Sequence, residues 1–171
     1  MEASSRESRR ALRPSKFGTL LLVTAVLLGI YLLRDGALSK PAPAFSLPET
    51  DGGRVDLASY AGRPVLLVFW TTSCPICQRE LPMLDRMEPE FRSRGITVLP
   101  ICLGGEDEAR NYLDTNRIAF NSLYDPGGTV ARAYHVSGVP RIVLIGKDGK
   151  VKRNTTGWTS DRALRNWMDG I

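Results

Sequence analysis

Three apolar runs, each with the length of a buried strand, stand out after the first third of the chain. They cover residues 64–70, 96–102 and 141–145. A continuous apolar run of this length is typical of a strand covered on both faces of a sheet. The Lys147–Lys150 segment, Lys-Asp-Gly-Lys, favours a hairpin turn, and we therefore expect a further strand over 151–156.

Helical periodicity separates the first two runs. Pro75 is suited to a first helical turn, and Gly95 is suited to a helix end. We expect Pro82 and Pro89 to kink or interrupt this helix, because proline removes a backbone donor. Its apolar stripe consists of Leu84, Met87 and Phe91.

The remaining segments complete an alternating order of strands and helices. Residues 45–57 hold a Gly-rich turn between short extended pieces, and residues 106–108 form an acidic helix start. The turn at 125–128 precedes a short helix, and Ser160 is a suitable N-cap for a last helix. The order β-α-β-α-β-β-α predicts an α/β domain with a mixed sheet.

The N-terminal region has the pattern of a membrane anchor. An apolar run over 17–33 follows a basic tail, residues 1–16. Because about 17–25 apolar residues span a bilayer, we expect an anchor over 17–33 with the tail in the cytoplasm. A cleaved signal peptide is the alternative, although the length of the run and the charged residues directly after it favour an uncleaved signal-anchor. Residues 34–43 are then a linker and residues 44–171 an extracytoplasmic, periplasmic domain.

The net charge of +5 is concentrated in the N-terminal segment. Residues 1–34 carry six Lys or Arg and two Asp or Glu, a net charge of +4, which leaves +1 for the rest. The domain therefore lacks the charge excess of nucleic-acid-binding domains. Its three cysteines are too few for a disulfide scaffold.

Cys74 and Cys77 lie where the run 64–70 gives way to the predicted helix. Two thiols at this spacing can close a disulfide with little chain movement. The first sulfur lies at the positive end of the helix, which favours its thiolate. The pair therefore predicts thiol–disulfide exchange, in which Cys74 attacks a substrate disulfide and Cys77 resolves the mixed disulfide. A static disulfide or two unrelated buried thiols is the structural alternative.

The segment 69–82, Phe-Trp-Thr-Thr-Ser-Cys-Pro-Ile-Cys-Gln-Arg-Glu-Leu-Pro, resembles the active-site segment of membrane-anchored thioredoxin-like proteins of the TlpA/ResA type. MauD-like proteins are also similar. Residues 44–48, 138–140 and 146–150 match in the same order, so the resemblance covers about residues 42–171. It implies a thioredoxin fold, extracytoplasmic thiol–disulfide exchange and often a role in c-type cytochrome or oxidase assembly.

By this resemblance, Pro140 is a cis-proline that faces the cysteines, and the Val139 peptide groups can pair with an extended substrate. The resemblance also implies an acidic residue at the place of Glu80, three residues after Cys77 on one helical face. A partly buried carboxylate there can relay protons and raise the pKa of the resolving thiol. A solvated surface charge is the alternative. Val68 stands where thioredoxins proper often carry a buried Asp, which favours Glu80.

The chain departs from the family at two places. Ser73 precedes the first cysteine where the family commonly has Trp, and Pro75-Ile76 stands where thioredoxins have Gly-Pro. Both changes alter the side chains that cover the attacking thiolate and its hydrogen bonding. The two departures therefore leave both directions of exchange open, reduction and oxidation of a client. We assign catalytic roles to Cys74, Cys77, Glu80 and Pro140, and substrate contacts to Trp70, Ser73, Pro75, Ile76 and Val139.

The remaining candidate ligands predict no metal site. We expect Cys102 to be a buried strand thiol that behaves as a small hydrophobe, and His135 to be an exposed residue at a helix end. Cys74 and Cys77 form one closely spaced pair of candidate ligands, but Cys102 and His135 do not form the second pair that a zinc site usually has. We predict neither a metal nor a cofactor, since the Cys74–Cys77 disulfide is itself the redox-active group.

These observations predict a membrane-tethered enzyme that reduces disulfides of specific apoproteins and is recharged by a membrane electron donor. A peroxiredoxin-like thiol peroxidase is one alternative, because Thr71-x-x-Cys74 matches part of the peroxiredoxin active-site pattern and Arg141 offers a cation. Leu67, however, stands where that pattern has Pro. A redox-inert, membrane-displayed binding module that uses the loop around Pro140 is the other alternative.

Overall fold

A computed structural model of the chain describes residues 22–26 and 40–171. Residues 22–26 are helical with exposed side chains. The rest of the predicted anchor, the basic tail and most of the linker lie outside the described residues. In the described ranges, no helix combines the length and the apolar content that a membrane crossing needs.

The centre of the domain is a five-stranded sheet, which is mixed as the sequence predicts. A small antiparallel pair, β1 (Ser46–Pro48) and β2 (Arg54–Asp56), precedes it. The strands of the main sheet are β3 (Val65–Trp70), β4 (Thr97–Cys102), β5 (Leu123–Tyr124), β6 (Arg141–Ile145) and β7 (Val151–Thr156). Their order across the sheet is β5-β4-β3-β6-β7, with β3, β4 and β5 parallel and β6 and β7 antiparallel to their neighbours.

Four α-helices and one 3-10 helix cover the sheet. Ser160 caps the last α-helix as predicted, since its hydroxyl accepts the Ala163 N–H at 3.3 Å. The sequence analysis misses β5 and the 3-10 helix, which are too short to show a periodicity. The helices are α1 (Pro75–Ser93), α2 (Glu106–Thr115), α3 (Thr129–Ala133), α4 (Asp161–Met168) and the 3-10 helix Leu57–Tyr60.

Alternate residues of β3 enter two different cores, which explains why the whole strand is apolar. One core contains Leu66, Val68 and Trp70 together with buried residues of α1, α2 and α4. The other contains Leu67 and Phe69 with residues of α3 and the β1–β2 pair. All six residues of β3 are buried. This packing fixes the position of the C-terminal end of the strand, which the first cysteine follows.

The expectation that Pro82 or Pro89 interrupts α1 is wrong, because the helix runs unbroken from Pro75 to Ser93. Each proline lacks the N–H that would bond one turn back. One face of the helix nevertheless buries an apolar stripe against the sheet, and tertiary packing of this kind supplies most of the stability of a helix. The buried residues are Cys77, Glu80, Leu81, Met83, Leu84, Met87 and Phe91.

Candidate active site

Cys74 is the N-cap residue of α1. Its backbone is extended, with φ −88° and ψ 111°, and Pro75 follows as the first helical residue. The Cys74 Sγ accepts the backbone N–H of Cys77 at 3.2 Å, the role that a hydroxyl or carboxylate oxygen usually has at a helix start. The sulfur therefore lies where the helix presents its free N–H groups and its positive end.

The loop before β6 brings a second group to the same sulfur. The Cys74 thiol donates to the Val139 carbonyl oxygen at 3.6 Å. The Val139–Pro140 peptide bond is cis, as the resemblance implies. Val139 is half-buried and Pro140 is buried. The backbone of Val139 thus lies beside the partly exposed Cys74.

Cys77 differs from Cys74 in its access to solvent. Neither cysteine is in a disulfide, but Cys77 is buried, with 1% of its surface exposed. Burial, together with the neighbouring Cys74 sulfur, raises the pKa of the Cys77 thiol to about 12. The pair therefore combines an accessible sulfur at a helix end with a covered sulfur that holds its proton firmly.

Glu80 is a fully buried carboxyl group one turn beyond Cys77. Its Oε1 accepts the Thr159 N–H at 2.8 Å, whereas Oε2 has no hydrogen-bond partner among the described residues. Burial raises the pKa of Glu80 to about 7, against the smaller opposite effect of the Thr159 N–H. The alternative of a solvated surface charge is wrong for this residue. Val68 is buried and apolar on β3, so it offers no carboxyl group there.

Asp125 is the other buried carboxylate in the described part of the chain, and its role is structural. Its two oxygens accept the Thr129 N–H and the Ala131 N–H, both at 2.9 Å. It therefore caps α3, where the first N–H groups of the helix need acceptors.

The assignment of Trp70 to substrate contact is wrong, because none of its surface is exposed. The indole N–H donates to the Ser122 hydroxyl at 3.0 Å, and the ring packs against Tyr112 with 5.3 Å between centroids. The other proposed contact residues are accessible: Ser73, Pro75 and Ile76 are exposed and Val139 is half-buried.

Two contacts that the sequence analysis misses position the loop before the first cysteine. The Gln78 side-chain amide donates to the Thr72 carbonyl oxygen at 2.8 Å. The Thr72 hydroxyl donates to the Glu108 carboxylate near the start of α2. No local signal in the sequence pairs residues 72 and 108, because only the parallel arrangement of β3 and β4 brings them together.

Cys102 and His135 take no part in this arrangement. Cys102 is fully buried beside Trp70 in the sheet register, as expected, and burial raises the pKa of its thiol to about 11. His135 is exposed and directly follows the C-terminal turn of α3, with φ 52°. The described residues contain no cluster of three His, Cys, Asp or Glu side chains that could hold a metal ion.

The amino-acid sequence of this chain is similar to those of known proteins. Residues 38–154 match the family described as AhpC/TSA. The thiol-disulfide oxidoreductase ResA of Bacillus subtilis (strain 168) is 30% identical over 151 residues, which cover 88% of this chain and 83% of ResA.

Solved structures are similar over the domain as well. The protein from Chlorobium tepidum provisionally named thiol:disulfide interchange protein DsbE has a TM-score of 0.70 and 28% identity, and the match covers 77% of this chain and 94% of that protein. A secreted disulfide oxidoreductase of Mycobacterium tuberculosis, homologous to DsbE, has a TM-score of 0.65 and 25% identity over 74% of this chain and 96% of its own. The fold is therefore thioredoxin-like.

Proposed function

This chain belongs to the AhpC/TSA family and is a thiol–disulfide oxidoreductase of the ResA type, and we propose that it reduces disulfides of specific apoproteins outside the cytoplasm. One observation carries the proposal. A partly exposed Cys74 sulfur caps a helix beside the Val139 carbonyl, while the buried Cys77 lies one turn inside the helix. This asymmetry suits one sulfur to attack and the other to resolve.

The exchange proceeds in two steps that conserve atoms and electrons. The Cys74 thiolate attacks one sulfur of the client disulfide, and the other client sulfur leaves as a thiolate that takes up a proton. Cys77 then loses its proton and attacks the Cys74 sulfur of the mixed disulfide. The second client sulfur leaves, so that the client gains two electrons and the enzyme holds a Cys74–Cys77 disulfide.

Glu80 accepts the proton that Cys77 loses in the second step. The high pKa of the Cys77 thiol, about 12, makes a nearby base necessary at neutral pH. Glu80 is buried on the same helical face, its Oε2 is unpaired among the described residues, and its pKa of about 7 matches neutral pH.

The apolar run 17–33 tethers the domain to the cytoplasmic membrane, with the basic tail inside and the domain in the periplasm. This part of the proposal is supported by the length of the run and by the charge difference on its two sides. The tether keeps the enzyme beside a membrane electron donor that reduces the Cys74–Cys77 disulfide again. Its clients are apoproteins of c-type cytochrome or oxidase assembly.

Trapping of mixed disulfides tests the proposed activity. In the full chain, Cys77→Ala should accumulate mixed disulfides with client proteins that a reducing agent releases, whereas Cys74→Ala should accumulate none. The wild type should also reduce hydroxyethyl disulfide, a small uncharged model substrate. Failure of both the trapping and the reduction would refute the proposal.

Two further measurements test the two alternative functions, a thiol peroxidase and a redox-inert binding module. A peroxidase would oxidise Cys74 with hydrogen peroxide far faster than an ordinary thiol reacts, whereas we expect an ordinary rate. A redox-inert binding module would keep its partner affinity when both Cys74 and Cys77 are replaced, whereas we expect the covalent complexes to disappear.

A further inference from the structure

An open groove of about 560 Å³ runs along the exposed side of α1, next to the active site but outside the chemistry derived above. Arg79 and Arg86 lie two helical turns apart on its wall, and Met83, between them, is buried. Trp158, from the loop before α4, forms the opposite wall with 46% of its surface exposed. We call this surface the α1 groove; its main lining residues are Arg79, Met83, Arg86, Trp158, Asp161 and Arg165.

Two of the three arginines that line the α1 groove form no ion pair with any described residue. Arg165 pairs with Asp161 at 2.7 Å and with Glu90 at 3.1 Å. In contrast, no carboxylate within the described ranges forms an ion pair with Arg79 or Arg86. The Arg79 guanidinium instead lies 5.1 Å from the centroid of the Trp158 ring. Arginine stacked on an aromatic ring keeps its outer donors free for a carboxylate.

The end of the groove nearer the active site is lined by Gln78, one helical turn after Cys74. Gln78, at its upper end, holds the carbonyl of Thr72 in the active-site loop. With a rise of about 1.5 Å per helical residue, Arg79 and Arg86 lie about 7.5 Å and 18 Å along α1 from Cys74. An extended peptide covers about 3.3 Å per residue, so these distances correspond to about two and five residues from the cysteine under attack.

We propose that the α1 groove binds an acidic, extended segment of the client protein, with carboxylates about two and five residues from the target cysteine. This proposal rests on the function proposed above, since it names the chemistry of the client at the same site. Charge complementarity selects the occupant: two arginines without an ion pair among the described residues, beside an exposed aromatic ring, attract carboxylates and repel a basic segment.

Synthetic peptides test the proposal on the full chain. Each peptide holds one cysteine as a mixed disulfide with mercaptoethanol, and carries Glu, Gln, Lys or Leu at the second and fifth positions on both sides. We expect the wild type to reduce the Glu peptide about tenfold faster than the Gln peptide at low ionic strength, and the Lys peptide more slowly than either. The preference should nearly vanish in 1 M salt, because the groove is open to solvent.

Matched variants assign the effect to the groove. The double variant Arg79→Gln/Arg86→Gln should lose the preference for the Glu peptide. The control variant Lys147→Gln/Arg153→Gln removes two exposed positive charges from the β6–β7 hairpin. It should keep the preference for the Glu peptide. Equal rates for the Glu and Lys peptides, a preference retained in the groove variant, or fastest reduction of the Leu peptide would each overturn the proposal.

A binding measurement keeps this result separate from the redox activity. A Glu peptide with Ser in place of Cys should change the tryptophan fluorescence of the wild type, and should bind the Arg79→Gln/Arg86→Gln variant about tenfold more weakly. Trp158→Phe should remove most of the signal, since Trp70 is fully buried and Trp167 packs against the core outside the groove lining. Absence of binding by the Glu peptide refutes the groove proposal even if hydroxyethyl disulfide is reduced. Binding without any disulfide reduction refutes the proposed enzyme function instead.

Discussion

Replacing Glu80 with Gln should change how the stability of the reduced protein depends on pH. The folded state raises the pKa of this carboxyl from 4.5 to about 7, chiefly through burial. The folded protein therefore holds a proton between these pH values that the unfolded chain releases. Its free energy of unfolding falls as the pH rises through this window, by about 3 kcal/mol in all. Glu80→Gln cannot ionise and should lack this decrease, while its side-chain oxygen can still accept the Thr159 N–H.

Urea unfolding of the reduced full chain, followed by circular dichroism at several pH values from 4 to 8, measures this difference. Glu88→Gln is the matched control, because Glu88 lies on the same helix in a partly exposed ion pair with Arg92. The control should follow the wild-type pH dependence closely. Parallel pH curves for the wild type and Glu80→Gln would show that the buried carboxyl does not hold its proton, and would remove the basis for its proposed role with Cys77.

Three further substitutions test individual contacts. Trp70→Phe should lower the free energy of unfolding by about 2 kcal/mol, because the buried Ser122 hydroxyl loses its indole donor; a loss below 0.5 kcal/mol in urea unfolding would contradict this. Ser160→Ala removes the N-cap of α4 and should cost about 1 kcal/mol, whereas Ser160→Asp should retain most of the stability in the same assay. Cys102→Ala should leave the reduction of hydroxyethyl disulfide unchanged, since the thiol is fully buried; a loss of activity without a loss of folding would contradict this.

Local sequence patterns were sufficient for most of the fold. The apolar runs become β3, β4 and β6 because a strand buried on both faces needs no polar residue. Pro75 after Cys74 marks the start of α1, since proline is compatible with a first turn. The prediction that prolines interrupt α1 was wrong. Each proline costs a backbone hydrogen bond, but the packing of the helix against the sheet, which the sequence does not display, opposes this cost.

The strand-to-helix junction and the two cysteines on it follow from local sequence, because capping and helical spacing act within a few residues. The surroundings of those cysteines depend instead on tertiary contacts. The Val139 carbonyl reaches Cys74 across 65 positions, and the Thr159 N–H reaches Glu80 across 79. Burial, which raises the pKa of Cys77 and of Glu80 and hides Trp70, likewise depends on elements that pack from distant parts of the chain.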